Sequence, residues 1–339
     1  AVTYQSPRAY KIATACREKG MTVIIGGIHA SVVPEEAANF VDSVFVGEAE
    51  EVWPQVIKDF EEGKLKKIYQ GGLPHLSLMK KVYPNYKFSS IVTTKGCPNY
   101  CDFCSVPTFQ GRKFRERPYE DVLDEMAATD YTGLMLAEDN FYGHGKKSNE
   151  RARDLFKGMV ERGIHKDWLG FTALNISQDP ETLDYMAKSG NFGMLVGIES
   201  TNETVLKKMN KQVNLKLGTD SYFDCIQKIH NAGLVVWGSV VFGADGDDKD
   251  SFKRMTDFIL ENNIDILTFG INCPFPKTQL YARLDSEKRI FRKNYPEDWQ
   301  YYDTAHVVHR FVDMTLEDFI EGMQYIYDHI YASDNLRTR

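Results

Sequence analysis

Three cysteines in one short stretch are the residues whose type and spacing most directly suggest chemistry. Cys97, Cys101 and Cys104 lie in a loop just after a strand-like run from Phe88 to Thr94. A loop lets three thiolates converge on one point, whereas the alternating faces of a strand do not. Three close thiolates suit a soft metal. The other three cysteines of the chain are isolated in sequence, so the stretch predicts a metal site built from these three alone.

The number of ligands narrows the type of metal site. A structural zinc or a closed iron–sulfur site normally has four protein ligands. Three cysteines instead favour a [4Fe–4S] cluster in which one iron stays open for a small ligand. Two alternatives fit the same residues: a zinc knuckle that borrows a histidine, and three buried cysteines without metal.

Length and composition limit the function classes. The chain has 339 residues, enough for two domains, and its 42% hydrophobic and 26% charged residues are ordinary for a globular protein. Its net charge of −7 includes no long basic run, so we expect no nucleic-acid partner. No apolar run reaches transmembrane length, and we expect neither a membrane span nor a signal peptide. Six cysteines do not make a disulfide scaffold, and a cluster would need a reducing cytoplasm.

The spacing Cys97-x-x-x-Cys101-x-x-Cys104, with Phe103 before the last cysteine, resembles the signature of the radical S-adenosylmethionine (SAM) enzymes. The resemblance implies that the open iron binds the amino and carboxylate groups of SAM, with Phe103 among the contacts. Reduction of the cluster, by a partner such as flavodoxin or ferredoxin, would then cleave SAM to methionine and a 5′-deoxyadenosyl radical.

Residues 1–63 alternate between strand and helix patterns. We predict helices from Ser6 to Gly20 and from Glu50 to Glu62, and strands from Met21 to Ile25 and from Val41 to Val46. This order is typical of a doubly wound parallel sheet, in which ligands bind at the carboxyl ends of the strands. The chain opens like the end of a strand, so we expect only the C-terminal half of this domain.

Two glycine-containing segments follow the predicted strands of this domain. Gly26-Gly27 and Gly47-Glu48 resemble the matching loops of the cobalamin-binding domain in B12-dependent radical SAM enzymes. The resemblance implies that these four residues contact cobalamin. His29 is a weaker candidate as a cobalt ligand, and we interpret it as an ordinary loop histidine.

We interpret residues 64–87 as a linker between domains. We interpret residues 88–282 as six strand–helix units. The units resemble the partial (βα)6 TIM-like barrel of the family, which places active-site residues at the C-terminal ends of its strands. Strands are predicted at Ser89–Thr94, Gly133–Ala137, Trp168–Leu174, Gly193–Ile198, Val235–Phe242 and Ile266–Ile271. Helices are predicted near Tyr119–Ala128, Asn149–Arg162, Pro180–Ser189, Leu215–Ala232 and Asp248–Asn262.

Polar residues and glycines at these strand ends resemble the family's SAM-binding positions. A carboxylate there can accept hydrogen bonds from the SAM ammonium or ribose hydroxyls. The alternatives are turn and helix-capping roles for the polar residues, and close backbone packing for the glycines. The implied SAM contacts are Glu138, Asp139, Asn140, Glu199, Gly238 and Gly243.

Residues 283–339 form an aromatic and charged tail. Thr315 to Tyr331 predicts an amphipathic helix with Thr315 as its cap. The tail resembles the mainly helical C-terminal extension of a subgroup that includes hopanoid methylases. Such an extension would shape the pocket for a small-molecule or lipid substrate.

Together these features predict an enzyme that cleaves SAM and methylates an unactivated carbon with the help of cobalamin. One alternative is radical oxidation or ring formation without methyl transfer, as in tetrapyrrole cyclase relatives. Another is a non-catalytic iron–sulfur or cobalamin module that senses redox state or light. SAM cleavage on reduction separates the enzymes from the sensor.

Overall fold

A computed structural model describes residues 1–79, 88–130 and 132–332. The end of the predicted linker and the last seven residues of the tail lie outside the described residues. The strands are β1 (Ile24–Ile25), β2 (Ser43–Val46), β3 (Ile68–Gln70), β4 (Phe88–Ile91), β5 (Thr94–Lys95), β6 (Arg115–Glu116), β7 (Gly133–Leu136), β8 (Asp167–Thr172), β9 (Asn191–Glu199), β10 (Val235–Phe242) and β11 (Ile266–Ile271).

The helices follow the apolar periodicity of the sequence. They are α1 (Ser6–Glu18), α2 (Ile28–Val32), α3 (Pro34–Ala37), α4 (Trp53–Glu61), α5 (Val106–Phe109), α6 (Tyr119–Ala127), α7 (Lys146–Glu161), α8 (Pro180–Lys188), α9 (Glu203–Lys208), α10 (Gln212–Leu217), α11 (Tyr222–Asn231), α12 (Ser251–Glu261), α13 (Gln279–Ser286) and α14 (Leu316–Ile330). Short 3₁₀ turns occupy Thr3–Gln5, Leu76–Met79, Leu174–Gln178, Thr219–Ser221 and Glu297–Tyr301.

The chain divides into two compact units. The first unit combines residues 1–78, 103–111 and 273–310, and the second combines 79–102, 112–272 and 311–339. These units differ from the predicted domains, because two later stretches of the chain pack with the N-terminal residues. In particular, residues 273–310 bring an aromatic cluster around Trp299 and Tyr302 into the first unit.

The first unit contains a small parallel sheet in the order β1–β2–β3. α1 packs Tyr10 and Ala13 into its core, together with Val41 and Val44 beside and within β2. β3 lies inside the range predicted as a linker and pairs with β2. Three residues are too short to show strand periodicity, so the sequence pattern did not reveal this strand.

The second unit contains six parallel strands in the order β4–β7–β8–β9–β10–β11. Each strand pairs with the next one along this order, and one or more helices separate consecutive strands in the chain. The α/β class with a parallel sheet is therefore confirmed. Parallel strands align their carboxyl ends at one edge, which brings the loops after β4, β7, β8 and β9 to the same side of the sheet.

α14 packs against α12 in the second unit. Its predicted cap is present, because the Thr315 hydroxyl accepts the Asp318 amide at 3.0 Å and the Asp318 carboxylate accepts the Thr315 amide at 2.9 Å. Gly322 permits close packing, since a Cβ there would lie 2.2 Å from the Phe252 ring. Within the described residues, no helix combines the length and the apolar composition needed to cross a bilayer.

Candidate functional site

The cysteine loop begins at a short antiparallel ladder. β5 pairs with β6, which brings together the two sides of the loop. Gly96 has a φ of +83°, a conformation that glycine adopts without strain, and it turns the chain into Cys97. The far side of the loop is also anchored, because the Asp102 amide donates to the Met209 carbonyl at 3.0 Å.

The thiols have a donor set that fits an iron–sulfur cluster. Cys97, Cys101 and Cys104 are all free of disulfides and partly buried. Burial raises the pKa of Cys97 and of Cys101, and each thiol also feels the positive charge of Lys211. Among the described residues, no three His, Cys, Asp or Glu side chains are grouped to hold a single metal ion. The ligands of a cluster bind different irons and need no such grouping.

Phe103 and Cys104 begin the stretch of the loop that belongs to the first unit. Phe103 is partly buried and packs against the aromatic cluster of that unit, which includes Cys273, Trp299 and Tyr302. This packing accounts for an apolar side chain at position 103. A contact of Phe103 with SAM stays a prediction.

Glu138 anchors the strand from which the cysteine loop starts. Its carboxylate accepts hydrogen bonds from the hydroxyls of Thr93 and of Thr94, the latter at 2.7 Å. Burial raises its pKa, and the nearby Arg151 guanidinium opposes that shift. Because both oxygens already have hydroxyl donors, Glu138 is arranged to order the chain from the end of β4 into β5 more than to meet a ligand.

Asp139 is the acidic group that faces the cysteine loop. It accepts the Gly96 amide, and its charge is felt at Cys97. Its second carboxylate oxygen is buried and has no hydrogen-bond partner among the described residues. Burial raises the pKa of Asp139, and the Gly96 amide and the positive charge of Lys95 only partly oppose that shift.

Asn140 makes local contacts. Its side-chain oxygen accepts the Tyr142 amide at 3.2 Å, and its backbone carbonyl lies 3.0 Å from Nε2 of His144. These contacts shape the loop after β7. A contact between Asn140 and SAM stays a prediction.

Glu199 is the last residue of β9. It has an unusual backbone conformation, and its side chain forms an ion pair. Its φ is +60°, in the left-handed region, and Nζ of Lys211 donates to its Oε1 at 2.5 Å. The side chains are only 7% and 13% exposed, so this is a buried pair. Gly197 lies beneath it, since a Cβ there would come within 2.8 Å of both partners.

Unpaired polar atoms occur at neighbouring strand ends. The Thr172 hydroxyl and the Asn175 side-chain oxygen, like Oδ2 of Asp139, are buried without a partner in the part of the chain that the structure describes. Buried polar groups normally have hydrogen-bond partners, so a ligand at these strand ends would remove a free-energy cost. Thr172 ends β8, and Asn175 lies three residues further on.

The two predicted adenine-contacting glycines are packed by other side chains. A Cβ on Gly238 would lie 3.0 Å from the side chains of both Ile198 and Ile264. A Cβ on Gly243 would lie 2.6 Å from the ring of Phe311, and its φ is +85°. Close packing therefore explains both glycines, and their contact with SAM stays a prediction.

The glycines of the first unit follow all three of its parallel strands. Gly26 and Gly27 follow β1, Gly47 follows β2, and Gly71 follows β3. Gly27 and Gly47 have φ values of +96° and +83°. A Cβ on Gly71 would lie 2.0 Å from the Glu48 carbonyl, so the loops after β2 and β3 pack closely. The glycines leave these strand ends without side chains, although the Ala1 amine donates to the Gly26 carbonyl at 2.6 Å. A contact of these residues with cobalamin stays a prediction.

His29 lies in a helix and not in the predicted loop. It is 1% exposed in α2, and its Nε2 lies 3.1 Å from the Glu36 carboxylate. The same carboxylate accepts the Tyr10 hydroxyl at 3.0 Å and the Trp299 indole at 2.9 Å. Although burial acts to raise the pKa of Glu36, the hydrogen bonds from His29 and Trp299 hold it below its ordinary value.

Three residues with roles in this geometry were not found by sequence analysis. Lys211 follows Glu199 by twelve positions and belongs to no motif that we recognised. In the sequence, Thr93 and Thr94 are simply β-branched residues at the end of a predicted strand, and nothing indicated that they contact Glu138. A basic residue after an acidic strand end is the one signal that would have found Lys211.

Comparison with known proteins identifies the family. Residues 91–259 match the radical SAM superfamily, and residues 9–83 match the N-terminal region of radical SAM proteins. A bacteriochlorophyllide d C-12(1)-methyltransferase of Chlorobaculum tepidum is 30% identical, over 99% of this chain and 75% of that protein. The chain belongs to the radical SAM superfamily. The prediction from the sequence that this chain is a radical SAM enzyme is therefore confirmed.

Two further relatives extend the comparison. A hopanoid C-2 methylase of Rhodopseudomonas palustris is 27% identical, over 80% of this chain and 53% of that protein. The structure of the radical SAM methyltransferase TsrM from Kitasatospora setae, with cobalamin and a [4Fe–4S] cluster bound, superposes with a TM-score of 0.70 at 16% identity. That match covers 86% of this chain and 64% of TsrM, and it shows a shared fold.

Proposed function

We propose that this radical SAM chain uses a [4Fe–4S] cluster, SAM and cobalamin to methylate an unactivated carbon of a small molecule or lipid. The observation that carries the proposal is the buried, unpartnered Oδ2 of Asp139 beside the Cys97 end of the cysteine loop. The names of the three relatives, which are all methyltransferases or methylases, support methyl transfer over oxidation, ring formation or sensing.

In this proposal the cluster is held by Cys97, Cys101 and Cys104, in the cytoplasm, where thiols stay reduced. When bound, the cluster supplies the electron that cleaves SAM, and cobalamin supplies the methyl group. Asp139 accepts the ammonium of SAM, because its free oxygen offers a charge-assisted hydrogen bond.

The residues around the loop position these groups. Glu138 fixes the start of β5 through two threonine hydroxyls, so the loop starts from an ordered strand. Glu199 presents its second carboxylate oxygen to ribose hydroxyls, while Lys211 neutralises its charge. A partial barrel formed by the six strands would help to exclude water from the site.

The glycine loops of the first unit are the proposed cobalamin contacts. Gly26, Gly27, Gly47 and Glu48 lie at the carboxyl ends of β1 and β2. His29 is not proposed as a cobalt ligand, because its Nε2 already lies against Glu36 and its ring is buried.

The test uses protein reconstituted without oxygen with iron, sulfide and cobalamin, and then incubated with SAM carrying a deuterated methyl group. We expect about four irons per chain and 5′-deoxyadenosine after reduction. We also expect deuterated methyl in one metabolite of an extract from cells lacking this gene. Deoxyadenosine without methyl transfer would instead support radical oxidation or ring formation.

A further inference from the structure

An arginine of α7 reaches the short ladder from which the cysteine loop projects. Nε of Arg151 donates to the Arg117 carbonyl at 2.8 Å, and its Nη2 donates to the Thr93 carbonyl at 3.3 Å. Thr93 immediately precedes β5, and Arg117 immediately follows β6. One planar guanidinium therefore spans the two ends of the ladder that lie opposite the loop.

The same two ends are joined to each other and to the rest of the second unit. The Arg117 amide donates to the Thr93 carbonyl at 2.9 Å. The Thr93 hydroxyl donates to the Glu138 carboxylate. The fully buried Arg117 side chain lies 2.8 Å from the Glu125 carboxylate of α6. The base of the ladder is thus connected to α6, to α7 and to the loop after β7.

Arg151 is a partly buried cation near two carboxylates. Burial lowers its pKa, and the negative charges of Glu138 and Glu116 oppose that shift. Removing a charge from water is costly, and an apolar side chain would pack against the ladder at a smaller desolvation cost. An apolar residue could not hold two backbone carbonyls, however, so the contacts themselves point to a role in fixing the backbone.

The ladder leads directly into the groups that are proposed to hold the cluster and SAM. β5 is followed at once by Gly96 and Cys97. The Gly96 amide donates to the Asp139 carboxylate. Any shift of β5 would therefore move the Cys97 thiol, and it would also strain the hydrogen bond that orients Asp139.

We propose that Arg151 is a positioning residue that fixes the β5–β6 ladder and thereby the path of the chain into Cys97. This inference rests on the proposed function, in which the loop holds the cluster. Arg151 acts through the backbone of Thr93 and Arg117 and not by contact with the cluster or SAM. A loosened ladder would still offer three thiols to iron, but it would hold Asp139 less well for the SAM ammonium.

The first measurement uses the chain without any cofactor. Hydrogen exchange with mass spectrometry follows the amides of residues 94–97, and the β10 amides report the stability of the whole second unit. The test variant is Arg151→Gln. The matched control is Arg153→Gln in the same helix, which loses an ion pair of 2.7 Å with Asp179. Arg151→Lys keeps the charge but lacks the planar fork, so it separates charge from geometry.

We expect residues 94–97 to exchange about tenfold faster in Arg151→Gln, because hydrogen bonds from a charged group are lost. They should keep the wild-type rate in Arg153→Gln, and Arg151→Lys should recover only part of the protection. Unchanged exchange in Arg151→Gln, equal acceleration in Arg153→Gln, or full recovery in Arg151→Lys would overturn the proposal. If Arg151→Gln also exposes β10, Arg151→Lys decides alone, and wild-type exchange in that variant contradicts the role.

The second measurement connects the ladder to SAM. After reconstitution, Arg151→Gln should keep about four irons per chain. It should bind SAM about tenfold more weakly, as measured by the change that SAM causes in the electron paramagnetic resonance spectrum of the reduced cluster. Arg153→Gln should match the wild type in both. Normal SAM affinity in Arg151→Gln would contradict the positioning role. Absence of iron from the wild type would instead refute the proposed function, while the exchange data would still show whether Arg151 fixes the ladder.

Discussion

Replacing Lys211 with methionine tests how the strand-end site is held together. Lys211→Met keeps an unbranched side chain and removes the cation that lies 2.5 Å from the Glu199 carboxylate. Both side chains are nearly buried, so the carboxylate would lose its counter-ion without gaining full access to water. The variant should therefore be destabilised even without any cofactor.

The magnitude follows from the burial of the pair. Breaking a buried ion pair by removing one partner costs about 3–5 kcal/mol, and the residual exposure of Lys211 favours the lower end. Removing both charges, in Glu199→Gln/Lys211→Met, leaves no buried unpaired ion. We expect the double variant to lose about 2 kcal/mol less stability than the sum of the two single effects, a coupling typical of contacting residues.

Hydrogen exchange of the β9 amides across a urea series reports this free energy within the second unit alone. The four proteins of the cycle are wild type, the two single variants and the double variant. The reasoning is refuted if Lys211→Met costs less than about 0.5 kcal/mol, or if the two single effects simply add, because either result means that no buried pair forms.

The remaining predictions concern the cofactors, acid stability and the tail. Alanine at the three loop cysteines should abolish iron binding, whereas Cys225→Ala should not, as measured by iron analysis after reconstitution. Glu199→Gln should keep the cluster absorbance and weaken SAM binding about ten- to hundred-fold in equilibrium dialysis, since a charge-assisted hydrogen bond is lost. The pKa of Glu36 is lower in the folded protein than its ordinary value of 4.5. The ionised carboxylate therefore stabilises the fold at pH values above 4.5, and this stabilisation is lost as the pH falls through the lowered pKa. Glu36→Gln should reduce the pH dependence of the urea unfolding midpoint over that acid range. The control Glu35→Gln, at an exposed position, should leave the pH dependence unchanged. Thr315→Ala should cost about 1 kcal/mol in urea unfolding, because it removes the α14 cap.

Long periodic elements were predicted well from the sequence. The bounds of β10 and β11 match the prediction, and α14 begins after the predicted cap Thr315. These elements have strong local signals, either an apolar strand or a capping box. The predicted helix from Leu215 to Ala232 is interrupted instead, because Gly218 adopts a φ of +82° between α10 and α11.

Contacts between residues far apart in the chain could not be predicted from the sequence. A strand-end acid was predicted at both Glu138 and Asp139, but nothing local indicated that two threonines would engage the first and leave an oxygen of the second unpaired. Lys211 was missed for the same reason. Side-chain pairing across loops depends on the tertiary arrangement, which a local pattern does not encode.

The order in which the chain is synthesised matters for the first unit. Glu36 receives its hydrogen bond from Trp299, 263 positions later. At a translation rate of about 5–20 residues per second, the early part of this unit waits roughly 13 to 53 seconds for its last partner. During that time Glu36 and His29 lack the Trp299 ring that later contacts them. The nascent N-terminal residues should therefore depend on chaperones until residue 310 has left the ribosome.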